Sequence, residues 1–179
     1  MTYVALLRGI NVGGNRKVEM KQLKAVFEQA GMSAVRTYIN SGNVIFQSAL
    51  PAGELLPVLE SAIAAAFGFP VRVILRDAGN IARLAAALPP GWNDGPDAKC
   101  DVMFLGEEID RPEILAQLDI RPGIDDVRYE SGAILWYVAR SKVTRSGMLK
   151  LVGTKLYANM TIRNCNTLRK LDALMQSGG

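Results

Sequence analysis

The sequence predicts an α+β protein made by tandem duplication of a ferredoxin-like βαββαβ(α) unit, with antiparallel or mixed sheets carrying helices. Three observations lead there. Strand-like and helix-like segments follow the order βαββαβα, and after a Pro-, Gly- and Asp-rich stretch the same order begins again. Short matches recur at corresponding places: Val35-Arg36 then Ser41-Gly42 against Val127-Arg128 then Ser131-Gly132, and Ile74-Leu75-Arg76 then Asn80 against Thr161-Ile162-Arg163 then Asn166. Finally, the first strand and the third strand of each unit are apolar in consecutive positions, as in Val4-Ala5-Leu6-Leu7 and Ile134-Leu135-Trp136-Tyr137-Val138. Arg72 and Arg76, and Arg128 and Glu130, interrupt the second and fourth strands, which fits central strands one and three flanked by edge strands two and four. The first subdomain then covers residues 1–90 and the second 97–179, with a linker at about 89–96.

The elements follow in order. Tyr3 to Arg8 is a strand, and a Gly-rich loop leads to a helix from about Glu19 to Ala30, where Leu23, Val26 and Phe27 share a face and Gly31 ends the helix. Val35–Ile39 and Val44–Phe46 are β-branched and aromatic, and Asn40-Ser41-Gly42-Asn43 between them reads as a hairpin turn. A helix from Gly53 to Phe67, an alternating strand from Val71 to Arg76 and a short helix from Ile81 to Leu88 complete the unit, closed by Pro89-Pro90-Gly91. The second copy has a strand at Cys100–Leu105, a helix at Pro112–Leu118 and a hairpin of Asp126–Glu130 and Ala133–Val138. A helix from Met148 to Ala158, a strand at Met160–Ile162 and a last helix from Asn166 to Met175 follow.

Composition narrows the chemistry. The 179 residues are 49% hydrophobic and 21% charged, the balance of a folded globular protein. There is no histidine, which removes Ser-His-Asp and Cys-His catalysis and imidazole metal ligation. Cys100 and Cys165 lack a C-x-x-C spacing, so they read as buried hydrophobes and not as a disulfide framework or zinc site. The N-terminus enters a strand directly and no apolar run is long enough to cross a bilayer, so a cytoplasmic protein with no membrane partner is expected. An RNA-reading face is disfavoured as well: consecutive apolar residues imply that both faces of each sheet are covered, and Ser-Gly-Asn-Val-Ile-Phe-Gln lacks the aromatic platform pattern.

The loop from Arg8 to Lys17 is the main candidate site. It follows a strand and precedes a helix, whose first amides are unpaired, and it offers Arg8, Asn11, Gly13, Gly14, Arg16 and Lys17 to an anion. Gly9 and Gly14 have Walker A spacing, but Asn15-Arg16 stands where Lys-Ser/Thr is required, and G-x-G-x-x-G is absent. The alternative is a tight βα connection with solvated cations. No cofactor is assigned. Ser41 and Asn43 of the hairpin turn are further polar candidates.

Here the chain resembles a mostly bacterial domain-of-unknown-function family whose members open with ALLRGINVGG. The matching segments are Tyr3 to Gly14, Thr37 to Phe46 and Thr161 to Thr167, and together they reach from one end of the chain to the other. The last departs from the family's Arg-Asn-Trp-Asn-Thr by carrying Cys165 in place of Trp. The resemblance implies the duplicated ferredoxin-like fold and no established reaction.

Charge is unevenly spread. Residues 1–93 carry nine Lys/Arg and five Asp/Glu, 94–130 carry four and eleven, and 131–179 carry eight and one. The basic stretch, with Arg140, Lys142, Arg163, Asn164 and Asn166 as candidate contacts, could bind phosphates or neutralise the acidic stretch within the same molecule. Three functional readings follow: a site for a phosphate-bearing small molecule or other anion at the Gly-rich loop, non-specific nucleic-acid binding through residues 140–170, and a non-catalytic protein-interaction module. Strands one and three are expected to run parallel, which would set the Gly-rich loop and the Ser41-Gly42 turn about 17 Å apart at opposite ends of the sheet. By the same reasoning Arg163 and Asn164 are expected near Ser131-Gly132.

Overall fold

The computed structural model describes residues 1–177. It divides into two compact units, Met1–Ala78 together with the residues from Leu174 onward, and Gly79–Ala173. The first contains β1 (Thr2–Leu7), α1 (Met20–Gln29), β2 (Ser33–Tyr38), β3 (Asn43–Gln47), α2 (Ala52–Phe67) and β4 (Val73–Asp77). Its sheet has the order β2-β3-β1-β4, with every neighbour antiparallel. The helices form where apolar residues recur at helical spacing. Leu23, Val26 and Phe27 of α1 and Leu55, Leu59 and Ile63 of α2 are buried in one core with Tyr3, Ala5, Leu7, Val44 and Phe46. Phe27 meets Phe46 edge-on with ring centroids 5.4 Å apart. Gly68 ends α2 in the left-handed conformation that glycine tolerates.

α3 (Ala78–Ala87) leads to the second sheet, built from β5 (Ala98–Leu105), β6 (Asp125–Glu130), β7 (Ala133–Ala139) and β8 (Met160–Asn164), before α4 (Cys165–Gln176). The order is β6-β7-β5-β8, again antiparallel throughout. Met103, Leu105, Ile134, Trp136 and Val138 pack there against Ile114, Met148 and Leu151. In both sheets the central strands are buried on both faces: Val4 and Ala5, and Leu135 and Trp136, have no exposed surface.

Strand direction differs from the expectation. β1 is followed by a helical crossover that makes β2 run the same way, and the hairpin then reverses the chain, so β3 is antiparallel to β1. Leu6 pairs with Asn43 and Thr2 with Gln47. The Gly-rich loop leaving β1 and the Ser41-Gly42 turn entering β3 therefore adjoin, and the Leu7 amide donates to the Gly42 carbonyl at 2.9 Å. In the second sheet Met160 pairs with Leu105 and Asn164 with Asp101, while Ala133 pairs with Phe104. Arg163 and Asn164 thus lie toward the end away from Ser131-Gly132.

Two expected α-helices are 3₁₀ instead. Pro112–Gln117 is one short 3₁₀ helix. The region expected as a helix at 148–158 belongs to a run of three, Arg140–Arg145, Gly147–Gly153 and Lys155–Asn159. Local side chains restart the chain at each break: the Ser146 hydroxyl accepts from the Met148 amide, and the Thr154 hydroxyl donates to the Leu151 carbonyl. Gly147 is required where it stands, since a Cβ there would come within 1.3 Å of the Asp119 carbonyl oxygen.

Candidate functional site

The antiparallel register gathers loop and turn at one end of the first sheet. Arg8, half-buried, starts the loop with its amide donating to the Arg72 carbonyl at 2.9 Å. Beyond it the chain closes into a miniature hairpin. Gly13 and Gly14 take φ values of 60° and 77° at its tip, as a type I′ turn requires, and Val12 and Asn15 bridge across them. The Asn11 amide donates to the Arg16 carbonyl at 3.1 Å. The loop is therefore bonded to itself and is not the open run of amides that a phosphate cradle presents.

Asn11 joins the pieces. Its Nδ2 donates to the carbonyls of Val18 at 2.9 Å and Asn40 at 2.8 Å, and its Oδ1 accepts from the Val18 amide at 2.8 Å. One side chain so ties the loop, the approach to α1 and the hairpin turn 29 residues away. Asn43 does similar work inside the turn, fully buried, with Nδ2 donating to the Tyr38 carbonyl at 2.9 Å and the Ser41 hydroxyl at 3.0 Å. Gly42, at φ 81°, leaves no room for a side chain: a Cβ would approach Ile10 Cδ1 to 2.6 Å and Leu7 Cβ to 2.9 Å.

This end is also where backbone strain collects. Of the four non-glycine residues with positive φ among the described residues, Asn11 (54°), Arg16 (50°) and Ile39 (51°) are here. The left-handed region is unfavourable above all for a β-branched residue such as Ile39. A hollow of about 470 Å³ opens beside Asn11, lined also by Gly14, Lys17, Val18, Glu19, Met20 and Asn40. α1 begins at the hollow with no side-chain cap, and its first internal bond, Leu23 to Glu19, leaves the amides of Met20, Lys21 and Gln22 ahead of it. Of the expected cations, Lys17 is exposed and lines the hollow, whereas the Arg16 guanidinium lies 5.8 Å from the centre of the Phe69 ring.

The remaining candidates lie in the second unit and are spread along its internal bonding. Arg140 donates to the Gly95 carbonyl at 2.9 Å and to Asp94 at 3.3 Å, and Lys142 to the Gly123 carbonyl at 3.0 Å. Arg163 is buried, donating to the Thr161 hydroxyl and the Ile162 carbonyl at 2.9 Å each, and burial lowers its pKa to about 10. Asn164 Oδ1 accepts from the Thr167 amide at 2.8 Å at the start of α4, and Asn166 donates to the Asp94 carbonyl at 2.8 Å. Lys150 pairs with Asp119 at 2.9 Å. Part of the basic stretch thus meets the acidic stretch within one unit.

Glu19, Met20 and Asn40 were not legible as hollow-forming residues, because their grouping depends on the register of β1 with β3. Asp125 was missed too. Its carboxylate accepts four bonds, from Ser146 Oγ at 2.5 Å and Trp136 Nε1 at 3.0 Å on one oxygen, and from the Arg121 and Gly147 amides at 2.9 and 3.0 Å on the other. Burial pushes its pKa up, but these four donors outweigh burial and hold it below the ordinary carboxylate value.

Fold and site define an α+β protein of two four-stranded antiparallel sheets, one of which ends in a stapled loop-and-turn cluster over a hollow. The chain belongs to the family described as Protein of unknown function (DUF1697), whose model matches residues 1–136. It is similar in structure to the conserved bacterial protein SP0830 from Streptococcus pneumoniae, with a TM-score of 0.84 and 28% sequence identity over 97% of this chain and 98% of that one. No curated protein matches it. Among the described residues, no helix is long and apolar enough to cross a membrane.

Proposed function

We propose that the protein binds a phosphate-bearing small molecule or other anion in the hollow between the Gly-rich loop and the first turn of α1. The observation that carries this reading is one hollow of about 470 Å³ that brings together left-handed Asn11, an uncapped helix start and exposed Lys17. Strain of that kind persists where surrounding structure enforces it, and it clusters at ligand sites. Lys17 supplies charge and the α1 amides supply donors. Glu19 also lines the hollow, which disfavours a bare multiply charged anion. A ligand with one anionic group and a neighbouring hydroxyl or amine fits both side chains.

The basic 140–170 segment supports nucleic-acid binding less well, since Arg140 and Lys150 pair with Asp94 and Asp119 and Arg163 is buried. The repeated strand order favours the finer architectural reading, a duplicated ferredoxin-like unit.

The test is a titration of the full chain with inorganic phosphate and with a nucleoside monophosphate, followed through backbone amide resonances. Saturable shifts at residues 13–22, lost in Lys17→Ala and kept in Lys142→Ala, are expected. Shifts absent at millimolar ligand, or equally weakened by both variants, would overturn the assignment.

A further inference from the structure

Cys100 and Cys165 stand 65 positions apart, and the fold brings them together. The antiparallel ladder between β5 and β8 pairs Asp101 with Asn164 and Val102 with Arg163. Asp101 and Asn164 are the last pair of that ladder, and Cys100 and Cys165, the first residue of α4, are their next neighbours in the chain. Opposed residues in an antiparallel pair have Cα atoms about 4.5–5.5 Å apart, so two residues that adjoin the last such pair fall near the roughly 4.4–6.8 Å window of disulfides. Both side chains are fully buried, and each thiol is near enough to shift the ionisation of the other.

We propose that Cys100 and Cys165 form a reversible dithiol/disulfide pair, a modification site at the junction of β8 and α4. The two cysteines are not equivalent. Cys165 is the attacking sulfur: the Cys100 thiol lies beside it, and Arg169, one turn along α4, has its Nη1 3.7 Å from Cys165 Sγ. Those two groups outweigh burial at Cys165 and lower its pKa, while the interaction with Cys165 and burial raise that of Cys100. Cys100 is the resolving thiol.

Access is controlled by the irregular segment between α3 and β5. The Cys165 thiol donates to the Trp92 carbonyl at 3.5 Å, and Trp92 stacks on Tyr137 with centroids 5.2 Å apart while the Arg128 guanidinium covers it at 5.0 Å. Asp94 accepts from the Cys100 amide at 3.0 Å, and Arg169 reaches Asn93 at 3.0 Å. The segment is thus a strap tied to both cysteine-bearing elements, and an oxidant reaches Cys165 when it lifts.

With a small-molecule disulfide such as oxidised glutathione, the Cys165 thiolate attacks one sulfur and expels one thiolate, leaving a mixed disulfide at Cys165. Cys100 then attacks Cys165 Sγ, and the second small thiol leaves. The cysteine protons pass to the two expelled sulfurs, so two protein thiols are oxidised and one disulfide is reduced.

The test treats the folded full chain with oxidised glutathione and reads intact mass and peptide linkage. The wild-type chain is expected to lose two hydrogens, to yield a Cys100–Cys165 linked peptide and to recover both thiols with dithiothreitol. Cys100→Ala is expected to stop at one glutathione adduct on Cys165, and Cys165→Ala to form no internal disulfide. The proposal is overturned if both thiols of the folded chain stay reduced while the guanidinium-unfolded chain oxidises in the same buffer. Separate adducts on the two cysteines of the wild-type chain, or linked dimers, overturn it as well.

Discussion

Replacing Asp125 tests how the second unit holds its longest irregular stretch. The carboxylate divides its four bonds evenly, two donors to each oxygen, and three of the donors belong to buried residues, Trp136, Ser146 and Gly147. In Asp125→Ala the indole N–H of Trp136 has no acceptor in a site with no exposed surface, which costs about 1–3 kcal/mol. Loss of the bonds to the Gly147 and Arg121 amides adds about 1 kcal/mol. The expected total is about 3 kcal/mol. At about 2–4 °C per kcal/mol for a chain of this size, Tm falls by about 6–12 °C. Asp125→Asn separates charge and acceptor geometry from bulk: its –NH₂ must face two donors whichever way the amide turns, so it loses nearly as much as Ala. The pH dependence has a definite sign. A carboxylate held below its unfolded pKa contributes stability that is fully present above about pH 5–6 and fades as pH falls through about 4. The gap between wild type and Asp125→Asn in thermal unfolding should therefore narrow at acid pH. An Asp125→Asn protein with a Tm within a degree of wild type at neutral pH, or a gap that widens in acid, would refute the reasoning.

Other perturbations follow from the same structure. Gly42→Ala places a Cβ against Ile10 and Leu7 at φ 81°, and chemical denaturation should report a loss of about 2 kcal/mol. Gly147→Ala collides with the Asp119 backbone and should cost more than about 3 kcal/mol, seen as a large shift in urea midpoint or as insoluble expression. Asn11→Ala removes three bonds that tie loop to turn, and amide hydrogen exchange should rise at Val18 while the amides of β7 stay protected. Glu19→Gln should tighten inorganic phosphate binding by removing a negative charge from the hollow, and unchanged or weaker binding in a phosphate titration would place the anion elsewhere.

Local pattern explains what could be read ahead of the structure. Leu23, Val26 and Phe27, and Leu55, Leu59 and Ile63, mark helix faces by spacing alone, and the Gly-rich tip at Gly13-Gly14 marks a turn by the conformations glycine permits. The apolar first and third strands announced their central places in both sheets. Periodicity failed between Met148 and Ala158, where a helical pattern is overridden by Ser146, Thr154 and the close approach of Gly147 to Asp119, the last of these a contact between residues 28 positions apart. The direction of β3 follows from connectivity, and it sets the loop and the turn at one end of the sheet and not at opposite ends.

Sequence by itself determined the strands, the α-helices of the first unit and the loop around Arg8 to Lys17, because each depends on residues within a few positions of one another. Tertiary structure alone decided that Asn11 staples that loop to Asn40, that Lys17 and Glu19 share a hollow, that Asp125 gathers four donors and that Cys165 meets Cys100. Each of these rests on strand register or chain reversal, and register is fixed by the packing of whole faces and leaves no trace in the spacing of the residues it brings together.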